Sequence, residues 1–282
     1  MIVYNPSGSH PESLRNCQVY MKRILLAIFI GLGLSACATS PLGRTQFMMM
    51  PEDQMAVMGA QAFVNMKQKL PIDQSPQTNQ YVVCVAESIV KEIGGNGGQW
   101  EVKVFQDDSP NAFALPGGKI GVHSGILRVA RNQDQLAAVI AHEVAHVLSR
   151  HSNERASQQL AMQQGLNVIQ AITNPTTQTG QMMMGVLGLG AQYGVLMPYG
   201  RLQESEADVV GLELMARAGF DPQQSIDLWL NMEQAGGGQP IEFLSTHPSH
   251  ATRMQELKQH MPKALELHRS AQALGKTPRC GA

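Results

Sequence analysis

The chain has 282 residues, of which 43% are hydrophobic and 15% charged, with a formal net charge of −1. That is enough apolar content to bury the core of a full domain, and the near-neutral balance excludes nucleic acid as a partner. The four cysteines form no CxxC pair, which excludes a zinc ribbon.

Residues 1–20 are turn-rich at Asn5-Pro6-Ser7-Gly8 and read as a leader upstream of the true start. Met21-Lys22-Arg23 is a basic n-region, Ile24 to Gly33 an apolar h-region, and Leu34-Ser35-Ala36-Cys37 resembles a bacterial lipobox. The reading is therefore a lipoprotein signal peptide over 21–36 and a tether over 37–50, acylated at Cys37 and so held at a membrane. Ala38 after the cysteine points to the periplasmic side of a Gram-negative outer membrane.

Apolar spacing then predicts helices over 52–69, 79–92, 133–150, 152–172, 202–218, 222–233 and 249–267, with strands near 101–105, 111–115 and 119–123. Pro116-Gly117 suits the centre of a type II turn, so the last two strands form a hairpin. The class is a mostly helical α+β fold with a small sheet of three to four strands, one domain over 51–270 followed by a tail over 271–282. Asn132 and Gln135 read as an N-cap and its capping-box partner at the head of the third helix.

That helix carries the chemistry. His142-Glu143-Val144-Ala145-His146 spells HExxH. Two histidines four apart share one helical face and can hold one zinc ion, and the carboxylate between them can take a proton from water. A catalytic zinc needs a third protein ligand, and Ser152 stands where the metzincins place a histidine. Downstream, Glu204-Ser205-Glu206-Ala207-Asp208 lies on a second helix. Glu204 and Asp208 share a face, so Glu204 is the ligand and Asp208 the acceptor for a ligand histidine's free N–H. Glu206, the competing acid, lies about 200° around from Glu204.

Outside the leader and Cys37, the remaining cysteines are Cys84 and Cys280, read as a disulfide pinning the tail to the second helix, with two buried thiols as the alternative. Residues 181–198 are apolar but interrupted by glycines. They read either as a helix packed in the core or as a lid or membrane-facing element.

The motif at His142, continued by Val147-Leu148-Ser149-Arg150-His151-Ser152-Asn153-Glu154-Arg155 and followed by Glu204 to Asp208, resembles the gluzincin family of the CAAX prenyl proteases and HtpX. The likeness runs from about Met55 to about Gln259. It is strongest to the soluble branch with the Oma-type mitochondrial protease and the periplasmic lipoproteins LoiP and BepA. It implies one zinc per chain on His142, His146 and Glu204, with Glu143 as general base of a zinc metalloendopeptidase in a zincin-like fold. Asn111, Ala112, Phe113 and Ala114 resemble the family's strand before the zinc helix, and an edge strand there would pair with extended substrate. Ser245-Thr246-His247-Pro248 resembles the late His-Pro motif, which makes His247 either an oxyanion stabiliser or zinc's fourth ligand, with Arg253 as a supporting cation. The substrates implied are misfolded or misassembled cell-envelope proteins. The alternative is an outer-membrane assembly chaperone with gated proteolysis, associated with the assembly machinery.

Overall fold

The computed structural model describes residues 37–94, 100–174, 177–191, 197–235, Phe243, Ser245, His247 and 251–281. The leader and signal peptide expected over 1–36 lie outside the described residues, as do Pro248 and His250. In chain order the elements are β1 (Cys37–Thr39), β2 (Thr45–Phe47), α1 (Glu52–Lys69), α2 (Pro76–Val90), β3 (Glu101–Phe105), β4 (Ala112–Leu115), β5 (Lys119–His123) and α3 (Gln133–Leu148). They continue as α4 (His151–Thr173), α5 (Gln178–Ala191), α6 (Met197–Arg217), α7 (Gln224–Ala235) and α8 (Ala251–Ala273). This is the expected mostly helical α+β class.

The three-stranded sheet has the order β3-β5-β4, with β3 parallel and β4 antiparallel to β5. The loop from β4 to β5 needs one residue more than a two-residue turn. Gly117 (φ 84°) and Gly118 (φ 73°) both adopt left-handed backbone, which only glycine does at little cost. Strand alternation splits the sheet's faces. Ala112 and Ala114 are buried in the main core with Leu136 and Ile140 of α3, while Phe113 meets Phe63 of α1 edge-on and stacks with Phe105. Phe113 lies directly over Gly121, where a Cβ would clash with its ring.

The zinc-motif helix was expected to have one buried stripe. Every residue of α3 from Gln135 to His146 is instead buried, because β4, α2, α6 and α7 pack around it. Helix patterning underestimates burial when a helix is enclosed on all sides. Asn132 caps α3 by accepting from Gln135 N (2.9 Å), but Gln135 Oε1 reaches back to Arg131 N (2.8 Å), one residue beyond the capping-box position.

Two terminal segments are more ordered than the sequence suggests. Residues 37–47, read as a tether, form a β1–β2 hairpin, and it packs against α4 through Met49 N, which donates to Ser157 Oγ (2.8 Å). Cys84 and Cys280 are disulfide-bonded, and the tail crosses the head of α3, where Cys280 N donates to Gln133 Oε1 and Gln133 Nε2 to Pro278 O (both 2.8 Å).

Candidate metal centre

Three chain segments meet at one buried point. α3 supplies His142, Glu143 and His146, α6 supplies Glu204 and Asp208, and the segment before α8 supplies His247. Glu204, Asp208 and Gly211 fall on one face of α6, and Gly211 lets that face approach α3. A Cβ at 211 would sit 2.9 Å from His142 N and 3.0 Å from its Cα, so backbone meets backbone. Gly211→Ala should therefore push α6 off α3, costing about 1–3 kcal/mol and weakening metal binding. Chemical denaturation and a metal titration of the variant check both.

The ligand atoms of His142, His146, Glu204 and His247 all lie within 4.8 Å of one another. His142 Nε2 is 3.1 Å from His146 Nε2 and 3.3 Å from Glu204 Oε2, and His146 Nε2 is 3.5 Å from Glu204 Oε1. His247 Nδ1 lies 2.9 Å from Glu204 Oε2 and 3.3 Å from His142 Nε2. A tetrahedron with bonds of about 2.0–2.1 Å has edges near 3.3–3.4 Å, so this spacing fits a zinc-sized cation. The protonation pattern fits as well. The outer nitrogens of the two α3 histidines are engaged elsewhere, which leaves their Nε2 lone pairs pointing at each other and at a carboxylate. Such convergence is what a metal ion held between them would satisfy.

Asp208 Oδ1 stands 3.0 Å from His142 Nδ1. Burial disfavours the His142 cation, but Asp208 and Glu204 outweigh it and raise its pKa to about 9, a measure of how basic the ring is made. His146 has no such carboxylate on its outer side, and burial pushes its pKa well below the ordinary value. Burial raises the Glu204 carboxyl, yet the three histidines around it hold it far below the usual carboxylate range. Glu143 Oε1 is buried with no hydrogen-bond partner and lies 3.3 Å from His247 Nε2. An orphaned buried acceptor beside the ligands is where a water or substrate group would be held.

Arg253, expected as a supporting cation, lies beside the candidate ligands. Its guanidinium is buried behind the ligands, forked onto Asp208 (Nε–Oδ2 2.6 Å, Nη2–Oδ1 2.7 Å) and stacked over Trp229 at 4.1 Å. It also donates to the His247 carbonyl (3.2 Å). Its third nitrogen, Nη1, also stands 3.6 Å from Glu204 Oε2, so the guanidinium supports both carboxylates and the His247 backbone. The cation reaching Glu204 from the half-exposed side is Arg155 (3.2 Å).

Sequence reasoning missed the support behind His146. Sequence alone assigns His151 no role of its own and makes Glu206 a rival ligand. His151 Nδ1 lies 2.8 Å from His146 Nδ1, and His151 Nε2 lies 3.2 Å from Glu206 Oε2. Glu206 accepts from Arg44 of the amino-terminal hairpin (2.9 Å), and Arg44 also forks onto Glu154 (2.6 and 2.7 Å). Burial opposes the Glu206 charge, but His151 and Arg44 hold its pKa down to about 2. With Glu206 accepting from His151 Nε2, the ring's Nδ1 is free to accept from His146 Nδ1, which fixes the tautomer that bares His146 Nε2. The two-residue link at Ser149-Arg150, with Arg150 at φ 53°, folds α4 back so that His151 reaches His146. His151→Ala should weaken metal binding about 10–100-fold, read by a competitive chelator titration.

Peptidase family M48 matches residues 76–261. The chain belongs to this family. It is 38% identical over 190 residues to the mitochondrial metalloendopeptidase OMA1 of Schizosaccharomyces pombe, covering 66% of this chain and 54% of that protein. It is 30% identical over 280 residues to the protein of the same name from Arabidopsis thaliana, covering 94% and 55%. The beta-barrel assembly-enhancing protease of Yersinia pestis is 30% identical over 214 residues, covering 73% and 43%. The chain spans about half the length of the mitochondrial relatives it matches.

These likenesses correct one expectation. The lipobox reading placed the protein on the periplasmic side of an outer membrane, whereas the relatives named as mitochondrial come from fungi, plants and animals and point away from that location. A lipobox is four short residues of common types, a far weaker signal than an aligned domain.

Proposed function

We propose that this protein is a zinc-dependent endopeptidase that cuts extended segments of misfolded or misassembled proteins. The observation that carries the reading is the convergence of His142, His146 and Glu204 with Glu143 buried beside them. The residues present fit zinc, which when bound supplies a Lewis acid that acidifies water and polarises a carbonyl. Glu143 accepts the proton of the attacking water and passes it to the leaving amine. Asp208 and His151 hold the rings of His142 and His146 with Nε2 directed inward.

Substrate selection follows from β4. This strand pairs with β5 on one side and no described strand lies on the other, while its neighbour in the core is α3 itself. Addition of an extended peptide along Ala112 to Ala114 uses main-chain hydrogen bonds and so is tolerant of sequence. That suits unfolded clients.

His247 favours a second, gated reading. Its ring stacks on Phe243 at 4.7 Å and sits among the ligands, with Nε2 beside Glu143. In that position it excludes substrate from the general base. The test is cleavage of unfolded casein by the full chain. Chelation should abolish activity, zinc should restore it, and His247→Ala should raise it. Metal-replete protein that leaves every unfolded substrate intact would reject the endopeptidase, and a fall on His247→Ala would make the histidine an oxyanion stabiliser instead.

A further inference from the structure

From Ala156 to Gly200 the sequence contains no Asp, Glu, Lys, Arg or His, in a chain with 15% charged residues. This stretch makes most of α4 and all of α5, which lie against each other with Leu166 next to Gly188. Residues 181–198 within it read as core, as a lid or as a membrane-facing element, and α5 is not core: Met182 and Met183 are each 66% exposed, Val186 64% and Leu189 55%. On α4, Val168 is 56% and Ile172 79% exposed. Contiguous exposed apolar surface of this kind marks a binding face.

We infer that the α4–α5 hairpin is a membrane-docking element, its Met182–Leu189 face entering the apolar boundary of a lipid bilayer. Two observations choose a bilayer over a protein client. The first is the absence of charge. Protein interfaces carry polar and charged rims, whereas a charged side chain pressed into the apolar boundary of a bilayer is costly, which selects against all of them together. The second is the route of the chain. The apolar run Ile24 to Leu34, preceded by Lys22 and Arg23, leads into β1, and the β1–β2 hairpin is fastened to the foot of α4. The fastening is made by Met49 N to Ser157 Oγ and by Asn153 Nδ2 to Met50 O (2.7 Å). An anchor in that run would tether the foot of the hairpin to a bilayer. Among the described residues no helix is long and apolar enough to cross a membrane. The hairpin therefore lies in the interface, with the uncharged Gln163, Gln164 and Asn167 of α4 at headgroup level.

The experiment places a dansyl-bearing residue at Met183, Leu187 or, as control, the 77% exposed Leu274 of the full chain. Phosphatidylcholine vesicles carrying a doxyl quencher on the acyl chain are then added. The expected result is a blue shift with several-fold quenching at 183 and 187 and none at 274. A Val186→Asp/Leu189→Asp variant should return the 183 signal to its value in buffer while metal content is unchanged. Solvent-like emission at 183 and 187 on vesicles would overturn the inference. So would a shift produced by unfolded casein and not by vesicles, which would make the face a client site, or one that tracks protein concentration alone, which would make it a self-association face.

Discussion

Glu143→Gln should bind metal as wild type does and cleave unfolded casein about 10²–10⁴-fold more slowly, the usual contribution of a positioned general base. Binding should survive because Glu143 is not in the candidate metal group of His142, His146, Glu204 and His247, and its carboxylate points toward His247 Nε2 at 3.3 Å. The amide has nearly the carboxylate's shape and keeps an acceptor oxygen, so α3 packs unchanged. What it loses is the ability to take a proton. Metal analysis of the purified variant beside a turnover assay separates the two effects. Wild-type turnover by Glu143→Gln would remove the assigned base and with it the hydrolytic mechanism. Loss of metal would show instead that Glu143 is a ligand.

How much of this was visible in the sequence depends on whether a residue's partner is close in the chain. HExxH is local, with both histidines and the acid within one and a half turns of α3, and ExxxD is local on α6. Their meeting was inferred from ligand chemistry, and the structure brings them together at 3.3–3.5 Å. The helix 52–69 and the strands 101–105 and 119–123 agree with the structure to the residue because Pro51 and Pro71 bracket the helix, β-branched Val102 and Val104 mark the first strand and Pro116-Gly117-Gly118 sets the start of the second. The chain Arg44–Glu206–His151–His146 was not legible. Its members come from β2's approach, α6, α4 and α3, and an isolated Arg or His has no periodicity that betrays a partner on another element, whether 5, 55 or 162 residues away. The partner of Arg253 was hidden for the same reason. A cation near an active-site motif suggests oxyanion chemistry until Asp208 is seen taking both of its prongs. One signal was available and under-read: a tether with an arginine and a glutamine flanked by β-branched Thr45 carries more pattern than a linker requires.

Removal of Arg253 should be among the most damaging changes outside the ligands themselves. Arg253→Ala leaves the Asp208 carboxylate buried at 4% exposure without its bidentate partner, and breaking a buried pair from one side costs about 3–5 kcal/mol. Burial raises the Asp208 pKa on its own, and it is the Arg253 charge, with the His142 imidazole, that keeps it below the ordinary range. Without that charge the carboxyl gains a proton more readily, and a neutral Asp208 no longer anchors His142 Nδ1. The same substitution removes the donor to the His247 carbonyl and the cation stacked on Trp229, so the segment carrying His247 loosens too. Arg253→Lys keeps the charge but neither the fork nor the planar stack, and should recover only part of the loss. Chemical denaturation of both variants measures the stability term, and a metal titration measures the positioning term. Combining Arg253→Ala with Asp208→Ala should cost much less than the sum of the single changes, because the second removes the carboxylate that the first leaves unpaired. Strict additivity would mean that the guanidinium acts through Trp229 and His247 alone, and that His142 is held without it.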